Sequence, residues 1–299
     1  MGICDGRVVV VTGGGRGLGR AHSLAFAAEG AKVVVNDLGA TLDGAGIDGS
    51  PAAETVSDIE ALGGRAVVNG DDVADWDGAG NMVRQAIDTF GGLDTIVCNA
   101  GIVRDRMFAN MSVDEWDAVI RVHLRGVFCP LRHAAAYWRD EAKAGNTRAA
   151  RIVTTSSGAG LRGSIGQSNY VAAKAGIAAL TLNMAAELGR YGVLANTIAP
   201  SARSRMTEQG MPEMMKKPES GFDAMDPANI SPFVVWLGSG DCDVTGRALE
   251  LAGGEVCVMN GWSRGPAVDE GRRFEPSEAG ATVRWLIAEA PEPEAVHGT

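Results

Sequence analysis

Four consecutive valines, Val8 to Val11, run straight into Thr12-Gly13-Gly14-Gly15-Arg16-Gly17-Leu18-Gly19, and a helical pattern follows through Ala28. An apolar run without alternation suits a parallel strand covered on both faces. The glycine turn leaves backbone N–H groups bare at the positive end of the following helix, where a pyrophosphate can sit. Strand, glycine turn and helix together point to an open α/β sheet with helices on both faces.

The next strand, from Ala31 to Asn36, ends at Asp37, eighteen residues after Gly19. A carboxylate there accepts hydrogen bonds from adenine ribose hydroxyls and repels a 2′-phosphate, which favours NAD over NADP. Arg16 is the opposing feature, a cation able to attract that phosphate; Asp37 lies nearer the hydroxyl and should dominate. Asp72 and Val73 follow a third strand (residues 65–68) and are placed to flank the adenine, with Asp72 toward its amino group. A fourth strand, from Leu93 to Cys98, ends in Asn99-Ala100-Gly101, where small residues let a cofactor lie close against the backbone.

The chemistry-bearing stretch runs from Ser157 to Lys174. Tyr170 and Lys174 stand four apart in an Ala-rich helical run and project from one face. An ammonium beside a phenol favours the phenolate, so the Tyr170 pKa is expected to fall toward a value useful in proton transfer. Ser157 closes the run from Arg151, at a strand end where its hydroxyl can hold the same substrate oxygen.

The chain has 299 residues, a net charge of −10, 45% hydrophobic residues, 41 glycines and 11 prolines. The length fits a single α/β domain over 1–299, with a core at 5–255 and an extension at 256–299. The acidic balance, with no basic cluster, argues against nucleic acid. Five cysteines are far apart, without metal-ligand spacing, so reduced buried thiols and no metal are expected. No basic-then-apolar leader and no 18-residue apolar run is apparent, which predicts a soluble cytoplasmic protein without a membrane span.

Several stretches read less sharply. Residues 38–51 form a Gly/Asp surface insertion. Residues 113–142 read as one long helix with His123 in its middle, either a satisfied buried histidine or part of a proton path. A sixth strand ends at Pro200. The Pro-broken segment 201–226, with Met206, Met211, Met214, Met215 and Met225, is expected to be a mobile lid over an apolar substrate. The last strand ends at Ala252, and the closing Pro/Glu stretch is expected to fray.

Thr12-Gly-x-x-x-Gly-x-Gly19, Asn99-Ala-Gly101, Ser157 and Tyr170-x-x-x-Lys174, in this order, resemble the short-chain dehydrogenase/reductase family over residues 5–255. The resemblance implies a Rossmann-type, doubly wound, seven-stranded parallel sheet flanked by helices. It also implies that Tyr170 is the acid/base, that Ser157 orients the substrate carbonyl, and that Lys174 holds the nicotinamide ribose while lowering the Tyr170 pKa. The cofactor would lie on Gly13, Gly15, Arg16, Gly17, Leu18, Gly19, Asp37, Asp72, Val73, Asn99, Ala100, Gly101, Tyr170, Lys174 and Pro200.

His123 stands where family members usually carry Asn. Val-His-Leu-Arg-Gly126 and Asn196-Thr-Ile-Ala-Pro, with Arg104-Asp-Arg-Met-Phe, are similar to the (3R)-hydroxyacyl-CoA dehydrogenase units of peroxisomal multifunctional enzymes of type 2. That subgroup includes 17β-hydroxysteroid dehydrogenases and bacterial enzymes acting on steroid or fatty acyl-CoA. It implies an NAD-dependent oxidation of a (3R)-3-hydroxyacyl-CoA, or alternatively of a free hydroxysteroid; a non-catalytic dinucleotide sensor is the reading from another class. A homotetramer or homodimer pairing through the helices near 113–142 and 168–190 is implied, with a separate enoyl-CoA hydratase as a possible partner. Arg104, Arg106, Arg203, Arg205, Lys216 and Lys217 are expected to border a CoA-phosphate site.

Overall fold

The computed structural model describes residues 2–298 apart from Leu42, Ile47, Met211 and Phe274. Met211 of the Met-rich segment, and Leu42 and Ile47 of the surface insertion, therefore lie outside the described residues. The strands are β1 (Val8–Thr12), β2 (Lys32–Asn36), β3 (Arg65–Asn69), β4 (Thr95–Cys98), β5 (Ala150–Thr155), β6 (Val193–Ser201), β7 (Ala248–Ala252) and β8 (Glu255–Met259). They form one sheet in the order β3-β2-β1-β4-β5-β6-β7-β8.

Seven strands are parallel, as expected. The sheet does not stop there, because β8 folds back antiparallel on β7, with Ala252 opposite Glu255. Gly253, at φ +56°, makes the reversal possible in so short a connection. The extension thus begins inside the sheet.

The helices are α1 (Gly17–Ala28), α2 (Ser50–Ala61), α3 (Trp76–Phe90), α4 (Val113–Ile120), α5 (Gly126–Lys143), α6 (Gly158–Arg162), α7 (Ser168–Leu188), α8 (Arg205–Gly210), α9 (Ser231–Gly238) and α10 (Pro276–Glu289). Alternate strand residues feed two cores. Val8, Val10, Ile96 and Ile152 meet Met82, Trp138 and Ile177 of α3, α5 and α7 on one face. Val9, Val11, Val33 and Val153 meet Phe26, Ile59 and Val234 of α1, α2 and α9 on the other. Burial of all these strand side chains explains why the strands read as unbroken apolar runs.

The helix expected over 113–142 is not continuous. Between α4 and α5 the chain widens into a π turn, Arg121–Arg125, that carries His123 inward to 1% exposure. Ser112 caps α4 by accepting from the Glu115 N–H, and Glu115 returns the bond to the Ser112 N–H. Ser168–Tyr191 contains an 18-residue window of mean hydropathy 1.3 and passes, by length and composition alone, as apolar enough to cross a membrane, although no 18-residue apolar run was expected. It packs on β6, α4 and α6 and buries Lys174 at 3% exposure, the marks of a helix that covers a sheet. Four cysteines are buried, Cys257 on β8 is exposed, and all five are free thiols.

Candidate active site

The strand order reverses direction between β1 and β4, and their carboxyl ends open a crevice of the kind in which α/β sheets bind ligands. Thr12 ties the two ends together: its Oγ1 accepts from the Asn99 N–H at 2.9 Å and the Ala100 N–H at 3.1 Å. Gly13, at φ +64°, passes so near Ala100 that an added Cβ would lie 2.9 Å from its Cα. A Cβ on Gly19 would lie 2.0 Å from the Gly13 carbonyl oxygen. Arg16 gives α1 no side-chain cap, so the first-turn N–H groups are left for a ligand. A side-chain-free cradle at an uncapped helix end fits a dinucleotide pyrophosphate.

Asp37 sits beside this cradle. Its carboxylate accepts from the Gly15 N–H at 2.9 Å and the Gly39 N–H at 2.7 Å. Among the described residues, Arg16 makes a long pair, 3.9 Å, with Asp48. Gly17 faces Ser204 of the 201–226 segment, while Leu18 packs into the core beneath α1. Val73 is buried against Gly126. Asp72 is less free than its expected adenine contact requires: one oxygen accepts from the Ala74 N–H, and the other pairs with Arg121 at 2.7 Å. Pro200, part-buried, lies opposite Leu251 near the carboxyl end of β6.

Ser157, Tyr170 and Lys174 come together at the end of β5. Ser157 caps α6, accepting from the Ala159 N–H at 3.2 Å, and its hydroxyl lies near enough to the Tyr170 phenol to favour the phenolate. The Tyr170 ring lies in a small apolar cluster with Ile102, Val119 and Ala173. Lys174 Nζ stands 5.4 Å from the centre of that ring and donates to the Thr155 carbonyl at 2.7 Å.

The expected lowering of the Tyr170 pKa is not found in the protein alone. The residue as a whole is part-exposed, but burial of its hydroxyl raises the pKa, with the nearby Ser157 hydroxyl opposing. Burial acts on Lys174 as well, lowering it to about 7, so the group meant to supply positive charge loses part of its own. Desolvation of both partners outweighs their proximity.

His123 resolves as a neutral buried histidine. Burial lowers its pKa to about 3, and its Nε2 lies 2.7 Å from the Ile102 carbonyl oxygen. Its ring meets Tyr170 edge-on at 5.2 Å, and among the described residues its buried Nδ1 finds no partner. A Cβ on Gly101 would fall 2.4 Å from this ring, so the small residue after β4 makes room for the histidine.

The model for the family described as "short chain dehydrogenase" matches residues 7–216. The chain belongs to the short-chain dehydrogenase family. It is an oxidoreductase acting on CH–OH donors. A hydroxyacyl-CoA dehydrogenase, ChsB1, of Mycobacterium tuberculosis is 44% identical over 95% of this chain and 89% of its own length. Peroxisomal multifunctional enzyme type 2 of Mus musculus is 44% identical over 87% of this chain, which spans 33% of that larger protein. A crystal structure of a short chain dehydrogenase from Mycobacterium avium superposes with a TM-score of 0.90 at 56% identity, covering 100% of both chains.

Some residues that build this dehydrogenase site carry no sequence signal on their own. Asn169 is fully buried; its side chain accepts from the Tyr170 N–H at 2.8 Å and donates to the Arg104 and Glu115 carbonyls at 2.9 and 3.0 Å. It fixes the start of α7 against the loop after β4. A polar residue next to Tyr170 at a helix start was the available hint.

The 201–226 segment is tied at Arg203, Asp223 and Met225. Arg203 forks onto Asp223 with two 2.8 Å bonds, and its N–H donates to the Met225 carbonyl at 2.7 Å. Met215 is buried, whereas Met214 and Phe222 are exposed. The six cations do not assemble into one CoA-phosphate site. Arg106 pairs with Glu115, Arg203 with Asp223 and Lys216 with Glu213. Arg104 and Arg205 donate to the Asp43 and Ala40 carbonyls. In so acidic a chain, nearby carboxylates reach three of these cations first.

Proposed function

We propose that this dehydrogenase oxidises a (3R)-3-hydroxyacyl-CoA, fatty or steroid side-chain, to the 3-keto thioester with NAD. The observation that carries the reading is the meeting of the Ser157 and Tyr170 hydroxyls beside buried Lys174, at the end of a strand that borders the side-chain-free cradle. The names of the relatives supply the substrate class. The fixed Asp37 carboxylate supports NAD over NADP.

A bound nicotinamide dinucleotide supplies the hydride acceptor. Gly13, Gly15, Gly17 and Gly19 would hold its phosphates, Asp37 its adenine ribose, and Val73, Asn99, Ala100 and Gly101 would line its path. Ser157 donates to the substrate oxygen and orients it. Tyr170, as phenolate, accepts the hydroxyl proton. Lys174 sits where it can donate to ribose hydroxyls and, when protonated, favour that phenolate.

The exposed Met107, Phe108 and Phe222 would also receive a free steroid, which keeps hydroxysteroid oxidation as the second reading. We further propose a cytoplasmic homotetramer or homodimer paired through α5 and α7, where Phe128 and Leu182 are exposed.

The test is a panel of (3R)-3-hydroxyacyl-CoA thioesters and 17β-hydroxysteroids with NAD and with NADP, followed by absorbance of the reduced cofactor. Turnover of thioesters with NAD is expected. Turnover of steroids alone would replace the substrate, and NADH binding without any turnover would replace the enzyme by a sensor.

A further inference from the structure

Residues 294–298 do not fray; they lie along the loop that joins Ser157 to Tyr170. The Ile165 N–H donates to the His297 carbonyl at 3.0 Å, and the His297 N–H donates to the Gly163 carbonyl at 3.2 Å. This is a short parallel bridge centred on Ser164. Arg162, its side chain 18% exposed, ties the same region to the sheet. Its Nη1 donates to Glu250 on β7 at 2.8 Å and to Glu294 at 3.0 Å, and its Nη2 bonds the other Glu250 oxygen.

The loop's opposite flank is held too. Arg106 N–H donates to the Gly166 carbonyl at 2.8 Å, and Gln167 donates to Asp105 at 2.9 Å. The catalytic loop is therefore the middle of three hydrogen-bonded segments, 105–107, 163–167 and 294–298. Each places an apolar side chain at the surface: Met107 is 57% exposed, Ile165 48% and Val296 39%. A Cβ on Gly166 would lie 3.9 Å from Met107 Sδ, and one on Gly298 would lie 3.6 Å from Ile165 Cβ, so the three segments adjoin. Exposed apolar side chains beside the reacting hydroxyls form a surface for an apolar substrate.

We propose that residues 294–298 are a specificity-determining segment, with Val296 forming the outer wall of the acyl-binding surface and the bonds to Gly163, Ile165 and Arg162 holding the catalytic loop in place. The substrate's identity rests on the acyl-CoA reading above. A short acyl chain ends before this wall, whereas a long one reaches it.

The test removes residues 292–299 from the otherwise intact enzyme, which leaves α10 whole. The KM for a long-chain (3R)-3-hydroxyacyl-CoA should rise about tenfold, with a short-chain homologue changing less than about twofold and NADH binding unaltered. Amide hydrogen exchange at Ile165 should quicken by about tenfold or more. The full-length double variant Glu294→Gln, Val296→Ser should shift the long-chain KM the same way by about threefold, which guards against a truncated chain that folds poorly. Equal changes for both thioesters, or none, overturn the specificity role, and unchanged exchange at Ile165 overturns the docking. Failure of the acyl-CoA reading shows differently, as no turnover of either thioester by the intact chain. The specificity role then falls with it, while exchange at Ile165, which needs no turnover, still decides the docking.

Discussion

The crevice between β1 and β4 and the rim formed by residues 105–107, 163–167 and 294–298 border one reaction centre but are held by different forces. The crevice is held by excluded volume: buried valines below it, and glycines whose missing side chains would overlap neighbouring backbone. The rim is held by polar tethers such as Arg162–Glu250, with apolar side chains left facing outward. Packing of the first kind admits little variation, because a closely packed backbone cannot give way by several tenths of an ångström. Tethers of the second kind can be rebuilt with other residues. A cofactor common to a family suits the first arrangement, and a substrate that differs among members suits the second.

The sharpest way to break this contrast is to attack the point where the regions meet. Tyr170→Phe should lower turnover by about a thousandfold or more while NADH affinity, a property of the crevice, stays the same. Single-turnover kinetics and fluorescence titration of NADH measure the two; a variant keeping a tenth of its turnover would remove Tyr170 from the chemistry.

Acid should strike the buried interior before the rim. His22 and His123 are both lowered to about 3 by burial, so below the ordinary value near 6.5 the unfolded chain binds two protons that the native chain refuses. Stability attributable to them is present above about 6.5 and lost as pH falls toward 3, at about 3 kcal/mol per pH unit for the pair. Denaturant titrations at pH 6 and pH 5 check this, and His22→Asn should halve the slope.

Gly19→Ala tests excluded volume directly. It should cost about 1–3 kcal/mol and weaken NADH binding, because the new methyl overlaps the Gly13 carbonyl. Wild-type stability and affinity together would mean the crevice is looser than its contacts imply. The smallest effect is expected at its edge: Asp37→Ala should narrow the preference for NAD over NADP by about tenfold in kcat/KM. A wild-type enzyme that already prefers NADP would assign that role to Arg16 and to Arg205, which lies within electrostatic reach of both Arg16 and Asp37.

The same contrast explains what could be read from the chain in advance. Val8–Val11, the glycine turn and Asp37 are neighbours in sequence as well as in space, so the crevice was legible from local pattern. Tyr170 and Lys174 were legible as a pair, but not the direction in which burial moves them, since depth depends on α4 and the loop after β4. The antiparallel β8 could have been read from Gly253-Gly254 followed by an apolar run. The tail could not. Its bonds to Arg162 span more than 130 residues, and a Pro/Glu composition is what a solvated end would also show.

The π turn at Arg121–Arg125 bears on which length changes this lineage can survive. It holds one residue more per turn than the helices on either side. Deleting a single residue there would let α4 and α5 join as an unbroken α-helix. Everything beyond Gly126 would then keep nearly its present phase relative to α4, because the wider turn already absorbs the extra residue. Leu131, Ala134 and Trp138 would still face the sheet, whereas His123 would lose the wide turn that holds it against Tyr170. The loss of one codon here should therefore be tolerated by the fold and felt at the active site, where His123 meets Tyr170.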